Sequence, residues 1–236
     1  MFKVQELQAN GILQRLPEAE LAKLLPRLAH VHLDVGTQLE TAFEPVKDVY
    51  FPLSFIASVV ASSPTGNRIE TGLIGPEGFT GTGLSFGDRQ SPYELVVQMT
   101  GSSLVLSADS FLEVRETCPV LGRMAMHFAR SLSIQVSFTA LANGRYTIQQ
   151  RLARWLLMLQ DRSKGNDIAI THAYLSVMLG VRRSGITEAI HLLEGDHLIR
   201  STRGNIVVLD RQALLRLADD AYGVPETEYH RLMGTL

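Results

Sequence analysis

Six polar residues between positions 182 and 191 have side chains of the kind that hydrogen-bonds to base edges in a DNA groove. Their spacing predicts a single helix that carries them at its start and on its exposed face, opposite Ile186, Ile190 and Leu193. In a major groove, arginine can pair with guanine and glutamate can accept a hydrogen bond from N4 of cytosine. The residues predicted to bind DNA in this way are Arg182, Arg183, Ser184, Thr187, Glu188 and His191.

Four further residues are predicted to bind DNA phosphates, which position a protein without reading the base sequence. Two strand-like runs, at 197–199 and 206–209, enclose a polar segment in which Gly204 and Asn205 favour a tight hairpin turn. Three of the four residues lie in this segment, and the fourth precedes a short helix. They are Arg200, Thr202, Arg203 and Thr171.

The elements that must position these residues form a helix-turn-helix. Thr171 can cap a first helix that buries Leu175 and Met178, Gly180 supplies a tight turn, and the second helix follows. With the hairpin behind it, this pattern predicts a winged helix whose second helix enters a major groove. A winged helix used for protein contacts remains an alternative.

The charge of the chain is distributed unevenly. Over 236 residues the net charge is −2, which by itself argues against a nucleic-acid binder. Residues 145–211, however, contain ten Lys and Arg against six Asp and Glu, so this segment is +4 and the remainder is −6. A basic segment joined to an acidic one is typical of a DNA-binding domain attached to a sensory or assembly domain.

The composition excludes several classes of protein. With 45% hydrophobic residues and one cysteine, the chain is neither disordered, nor collagen-like, nor held by disulfides. Cys118 is expected to be partly buried, with a redox-sensing thiol as the alternative, and a lone cysteine excludes an iron–sulfur site. No signal-peptide core and no apolar run of about 18 residues is present, so a cytoplasmic location without membrane contact is expected.

Short strands with intervening turn residues dominate the segment from Val31 to Leu106. Their number predicts a small β-barrel or sandwich, preceded by a helical segment at 13–28. Long helices do not alternate with these strands, which argues against an α/β nucleotide fold. The strands are predicted at 49–51, 56–61, 69–74, 95–99 and 103–106.

A long helix is predicted at 119–142, followed by a break at 143–147. Thr147 and Gln150 have the spacing of a capping box at the start of the next helix. The long helix is apolar on two sides, so a second subunit is expected to cover one side, although burial within a monomer remains open. The expected dimer contacts are Leu121, Ala125, Phe128, Leu132 and Val136.

In this order, the parts resemble the Crp/Fnr family of bacterial transcription regulators. The resemblance implies an α+β fold with a cyclic-nucleotide-binding-like jelly roll (1–112), a dimerisation helix and hinge (113–145) and a winged helix-turn-helix (146–236). It also implies a sequence-specific regulator that binds near-palindromic double-stranded DNA as a homodimer, with RNA polymerase as partner if it activates. The alternative is a small-ligand or cyclic-nucleotide signalling module with a protein-binding winged helix.

The effector loop departs from the pattern of the cyclic-nucleotide-binding members, in which a Gly-Glu-Leu loop precedes an Arg-Ser or Arg-Thr pair. Here Gln90 separates Arg89 from Ser91, and Asp88 would weaken a phosphate site, so a cyclic nucleotide is not favoured. The residues that would correspond to an effector site are Glu77, Gly78, Phe79, Arg89 and Ser91.

No catalytic constellation is apparent in the sequence. A P-loop, a G-x-S-x-G segment and metal-spaced ligands are all missing, so the chain is not expected to be an enzyme or to hold a metal. No cofactor can be assigned. The recognition set of the family, Arg-Glu-x-x-x-Arg, is changed between Arg183 and Glu188, which implies a different DNA site.

Overall fold

The computed structural model describes residues 7–163 and 165–234. Within these residues the chain forms two compact units. The first comprises 7–59, 73–133 and 229–234, and the second comprises Val60–Gly72 and Ile134–Glu228. Each unit gathers more than one stretch of the chain, so the division into 1–112, 113–145 and 146–236 remains a prediction.

Two sheets form the strand-rich half of the chain. One has the strand order β1-β7-β3 and the other β2-β6-β4-β5. All five predicted strands lie within observed strands, but the two sheets do not join into a closed barrel. The strands are β1 (Ala29–Leu33), β2 (Gln38–Glu40), β3 (Asp48–Pro52), β4 (Ile56–Ser62), β5 (Arg68–Ile74), β6 (Glu94–Met99) and β7 (Gly101–Ser107).

Short helical segments precede the first strand. The predicted helical segment at 13–28 is divided into the helix α1 (Glu18–Leu24) and the 3-10 turns Leu13–Arg15 and Leu25–Arg27. Pro17 and Pro26 explain the division, because proline lacks the N–H that a continuous helix needs at interior positions.

The first unit has an aromatic core. The ring of Phe79 is fully buried, and its centroid lies 6.0 Å from that of Phe51, 5.5 Å from that of Phe111 and 5.6 Å from that of Phe128. These separations suit offset or tilted aromatic packing. Two helices supply the last two rings, α2 (Ala108–Thr117) and α3 (Pro119–Arg145).

Cys118 lies between these two helices with no exposed surface. The sequence predicts partial burial, whereas the core encloses the side chain entirely. A thiol in this position behaves as a small apolar side chain.

The structure corrects the predicted dimer contacts. Four of the five residues belong to the core of the first unit, and Val136 is half-buried. At four of its five positions, the apolar side assigned to a second subunit is therefore covered by this chain's own residues. The four core residues are Leu121, Ala125, Phe128 and Leu132.

The second unit contains the predicted winged helix. Its small sheet has the order β8-β10-β9. The elements are α4 (Ile148–Arg162), β8 (Asp167–Ala169), α5 (His172–Met178), α6 (Arg183–Gly195), β9 (Ile199–Thr202), β10 (Asn205–Val208) and α7 (Arg211–Ala218).

The junction between α3 and α4 is shorter than predicted. Helix α3 continues through Asn143 and Gly144 to Arg145, so the break is confined to Tyr146 and Thr147. The predicted capping box is present: the Thr147 hydroxyl accepts a hydrogen bond from the Gln150 N–H, and the Gln150 side chain accepts one from the Thr147 N–H.

The last helix, α8 (Val224–Gly234), ends in the first unit. Met233 is buried in its core, and the Tyr229 hydroxyl donates to the carbonyl oxygen of Glu77 at 2.9 Å. The ring Nδ1 of His127 lies 2.8 Å from the carbonyl oxygen of Leu232. None of the helices in the described part of the chain combines the length and apolarity needed to cross a membrane.

Candidate nucleic-acid interface

The turn between α5 and α6 has the geometry of a helix-turn-helix. Thr171 caps α5, its Oγ1 accepting from the Tyr174 N–H at 3.2 Å. Gly180 has φ +60°, and a Cβ there would lie 2.8 Å from Cδ1 of Ile69. The turn therefore needs glycine for both its backbone conformation and its packing.

Helix α6 begins at Arg183, with Arg182 as its N-cap residue. Its apolar residues Ile186, Ala189 and Ile190 are buried, which leaves the polar residues on the outside. A shallow depression along α6 that is largely open to solvent, called the groove below, brings together five of the six predicted base-contacting residues and adds Leu192, which is 48% exposed. The five are Arg183, Ser184, Thr187, Glu188 and His191.

His172 connects the two helices with the wing, a role that the sequence analysis missed. Its Nδ1 lies 3.5 Å from the Thr187 Oγ1, and its Nε2 lies 3.5 Å from the Ser201 Oγ. The only signal in the sequence for this role is that His172 is the first residue of α5, because Ser201 is far away in the sequence.

The hairpin of β9 and β10 forms the wing. Thr202 pairs with Asn205, so the turn comprises Arg203 and Gly204, one residue earlier than predicted. Gly204 has φ +79°, and its carbonyl oxygen accepts from the Ile170 N–H at 2.9 Å. Arg200, Thr202 and Arg203 are exposed, as phosphate-binding residues must be.

Three of the five predicted effector residues are buried in the first unit, and Arg89 is exposed. Phe79 is part of the aromatic core, and a Cβ on Gly78 would overlap the Phe128 ring. Arg89 forms an ion pair with Asp109.

The other two predicted effector residues form hydrogen bonds with other residues of the chain. The Ser91 hydroxyl donates to the carbonyl oxygen of Tyr93 at 3.0 Å, and the backbone carbonyl of Glu77 accepts from Tyr229. Across residues 7–163 and 165–234, no three His, Cys, Asp or Glu side chains are grouped as metal ligands would be.

Glu40 is a carboxylate in this region that the sequence analysis did not single out. Its Oε1 accepts from the Gly81 N–H at 2.8 Å. Burial raises the pKa of Glu40 above its ordinary value, although the hydrogen bond from the Gly81 N–H opposes the increase.

Residues 150–217 match a family model, the Crp-like helix-turn-helix domain. This segment is a Crp-like helix-turn-helix domain. No curated protein is similar to the chain in sequence.

Solved structures share the fold of this chain over most of its length. FixK2 from Bradyrhizobium japonicum is 16% identical, with a TM-score of 0.70 over 81% of this chain and 98% of that one. A Crp/Fnr-family protein from Eubacterium rectale is also 16% identical, with a TM-score of 0.69 over 89% and 99%.

A third structure, a Crp-family transcriptional regulator from Thermus thermophilus, is 19% identical. Its TM-score is 0.64 over 80% of this chain and 96% of that one. The predicted α+β class and the resemblance to Crp/Fnr transcription regulators with a DNA-binding helix-turn-helix are thus confirmed.

Proposed function

We propose that this Crp-like protein is a cytoplasmic regulator that recognises a near-palindromic promoter site as a homodimer and has no catalytic activity. The observation that carries the proposal is the groove along α6, where Arg183, Thr187 and Glu188 face outward beside one another. In helix-turn-helix proteins the residues at the start of the second helix contact base edges.

The two kinds of DNA contact fall on different elements. Arg183 and Glu188 on α6 can read guanine and cytosine, and the exposed Leu192 can contact a thymine methyl group. Arg200 and Arg203 lie at exposed positions of the wing, and each carries one positive charge. They are therefore suited to bind phosphates. The groove therefore supplies specificity and the wing supplies affinity.

A second subunit would pair along the exposed side of α3. This side carries exposed residues at alternating spacings of three and four, so they lie along one face of the helix. The four residues of this side beyond position 130 are all small, so two helices can approach each other closely there. The residues of this side are Arg123, Met126, Arg130, Ser133, Ser137, Ala140 and Gly144.

Dimerisation determines the form of the DNA site. Two identical recognition helices related by a two-fold axis require half-sites that are inverted, with centres about 34 Å apart, one helical turn of DNA. If the bound protein activates transcription, RNA polymerase is the partner it must contact.

The proposal is tested by titrating the full-length protein onto fluorescent promoter fragments and random DNA over a series of salt concentrations. The logarithm of the binding constant should fall linearly with the logarithm of salt concentration, with one fragment preferred throughout. Equal affinity for all fragments at every salt concentration would overturn the proposal. Sedimentation of the free protein should show a dimer.

A further inference from the structure

A small cavity within the second unit is lined by two arginines. Its volume is about 20 Å³, and its polar walls include Arg151, Arg154, Asn143 and Glu70. Arg154 is only 5% exposed, and Glu70 is equally buried. A guanidinium in such a position is costly unless its N–H groups and its charge are compensated.

Neither arginine is fully compensated by the described residues. Nε of Arg151 and Nε of Arg154 are both buried without a hydrogen-bond partner there. Arg154 donates to the Thr139 hydroxyl at 3.3 Å, and Arg151 donates to the carbonyl oxygen of Leu179. Burial lowers the pKa of both arginines, as expected when a cation is desolvated.

The ionisable side chains of the cavity wall have a net charge of +1. Two arginines face one carboxylate, Glu70, whose Oε1 already accepts from the Trp155 indole N–H at 2.7 Å. Beyond the wall, the Glu226 carboxylate raises the pKa of Arg154 more than Glu70 does, and Arg162 lowers it. With these two side chains included, three arginines face two carboxylates. One monovalent anion would neutralise the cavity.

The volume limits the occupant to a single small species. A cavity of about 20 Å³ holds one water-sized particle, whereas an oxyanion such as phosphate needs more room. A water molecule could accept both Nε–H bonds but would leave the positive charge in place. A halide can accept both bonds and also supply the missing negative charge.

We propose that this cavity is a binding site for a monatomic anion, chloride under ordinary conditions, held between Arg151 and Arg154. The site is independent of the proposed DNA recognition, since it requires only the folded unit. The anion fixes Arg151, whose guanidinium holds the C-terminal end of α5 through Leu179. Anion binding therefore stabilises the unit that contains the helix-turn-helix.

Anomalous diffraction from crystals of the full-length protein in sodium bromide tests the site directly. We expect one bromide peak within hydrogen-bonding distance of Nε of Arg151 and Nε of Arg154. A water molecule at this position without anomalous signal, at bromide concentrations far above physiological chloride, would overturn the proposal.

Thermal unfolding in solution gives a second measurement. At constant ionic strength, replacing sodium glutamate with sodium chloride should raise the unfolding midpoint of the wild-type protein along a saturating curve. Arg154→Gln should lose this response, whereas Arg216→Gln, which removes an exposed charge in the same unit, should retain it. Equal responses in all three proteins would also refute the site.

Glu70→Gln keeps the proposal testable if Arg154→Gln does not fold. This change raises the positive charge of the wall while an oxygen remains to accept the Trp155 bond. Half-saturation should then occur at a lower chloride concentration than in the wild type. An unchanged or higher concentration for half-saturation would contradict the charge argument.

Discussion

Gly78 lies against the ring of Phe128 so closely that a Cβ on the glycine would be 1.9 Å from Cζ of the phenylalanine. Both residues are buried, and the same ring packs on Phe79. In the loop that the resemblance places at a nucleotide phosphate, Gly78 thus packs against an aromatic side chain from α3. Gly78 is required for core packing.

Gly78→Ala should therefore destabilise the protein by about 1–3 kcal/mol, because the methyl group must displace a buried ring. Chemical denaturation monitored by circular dichroism measures the change in the free energy of unfolding. Gly122→Ala is the matched control: its new Cβ meets only ordinary contacts on a helix, so it should be neutral or stabilising by up to about 1 kcal/mol. Equal stability of Gly78→Ala and the wild type would contradict this packing.

Glu40→Gln should make the protein less sensitive to pH. The native carboxyl has a raised pKa, so the folded state binds a proton that the unfolded chain releases, and stability falls as pH rises from the ordinary carboxyl pKa through the raised value. Glutamine does not ionise, so this loss of stability with rising pH disappears. Its side-chain oxygen can still accept the hydrogen bond from the Gly81 N–H.

Urea denaturation of both proteins between about pH 4 and pH 8 measures this effect. Relative to the wild type, Glu40→Gln should be more stable at the upper end of this range than at the lower end. A stability difference that does not change with pH would show that Glu40 has an unperturbed pKa.

Arg183→Ala should reduce the discrimination between the preferred DNA site and a site altered at one guanine. The expected loss is about 1–3 kcal/mol if the guanidinium makes two hydrogen bonds to that base. Competition binding with single-base variants of the site measures it. Arg216→Ala, on an exposed position of α7 outside the groove, serves as the control. A uniform loss over all sequences would assign Arg183 to a phosphate instead.

Arg203→Ala should weaken binding to every DNA sequence to a similar degree. Arg203 lies at the exposed tip of the wing, and the loss of one phosphate contact should reduce the slope of log K against log salt by about 1. Salt titrations with preferred and random DNA provide both quantities. An unchanged slope would place the wing away from the phosphates.

Local patterns in the sequence are sufficient to predict the winged helix. The period of Ile186, Ile190 and Leu193 defines the buried side of α6, and the turn needs only Gly180. These signals operate over a few residues, so no knowledge of distant contacts is required. The wing turn lies one residue from its predicted place because glycine marks a turn without fixing the strand register.

Features that depend on distant residues could not be predicted. The sequence of a helix that is apolar on two sides does not reveal which side faces the rest of its own chain. Leu121 and Leu132 are therefore predicted as dimer contacts, but the structure places both in the core. The contact between Gly78 and Phe128 could not be predicted for the same reason, because the two residues are far apart in the sequence. Pairing of such residues is decided by the folded chain.

Selection of bound DNA from a random pool by the protein, followed by sequencing, tests recognition of a two-fold DNA site through α6. We expect enrichment of two inverted half-sites whose centres are about 34 Å apart, with an enriched base that is lost with Arg183→Ala. A pool that stays random through successive rounds, or a single unpaired half-site, would contradict recognition by a dimer through α6.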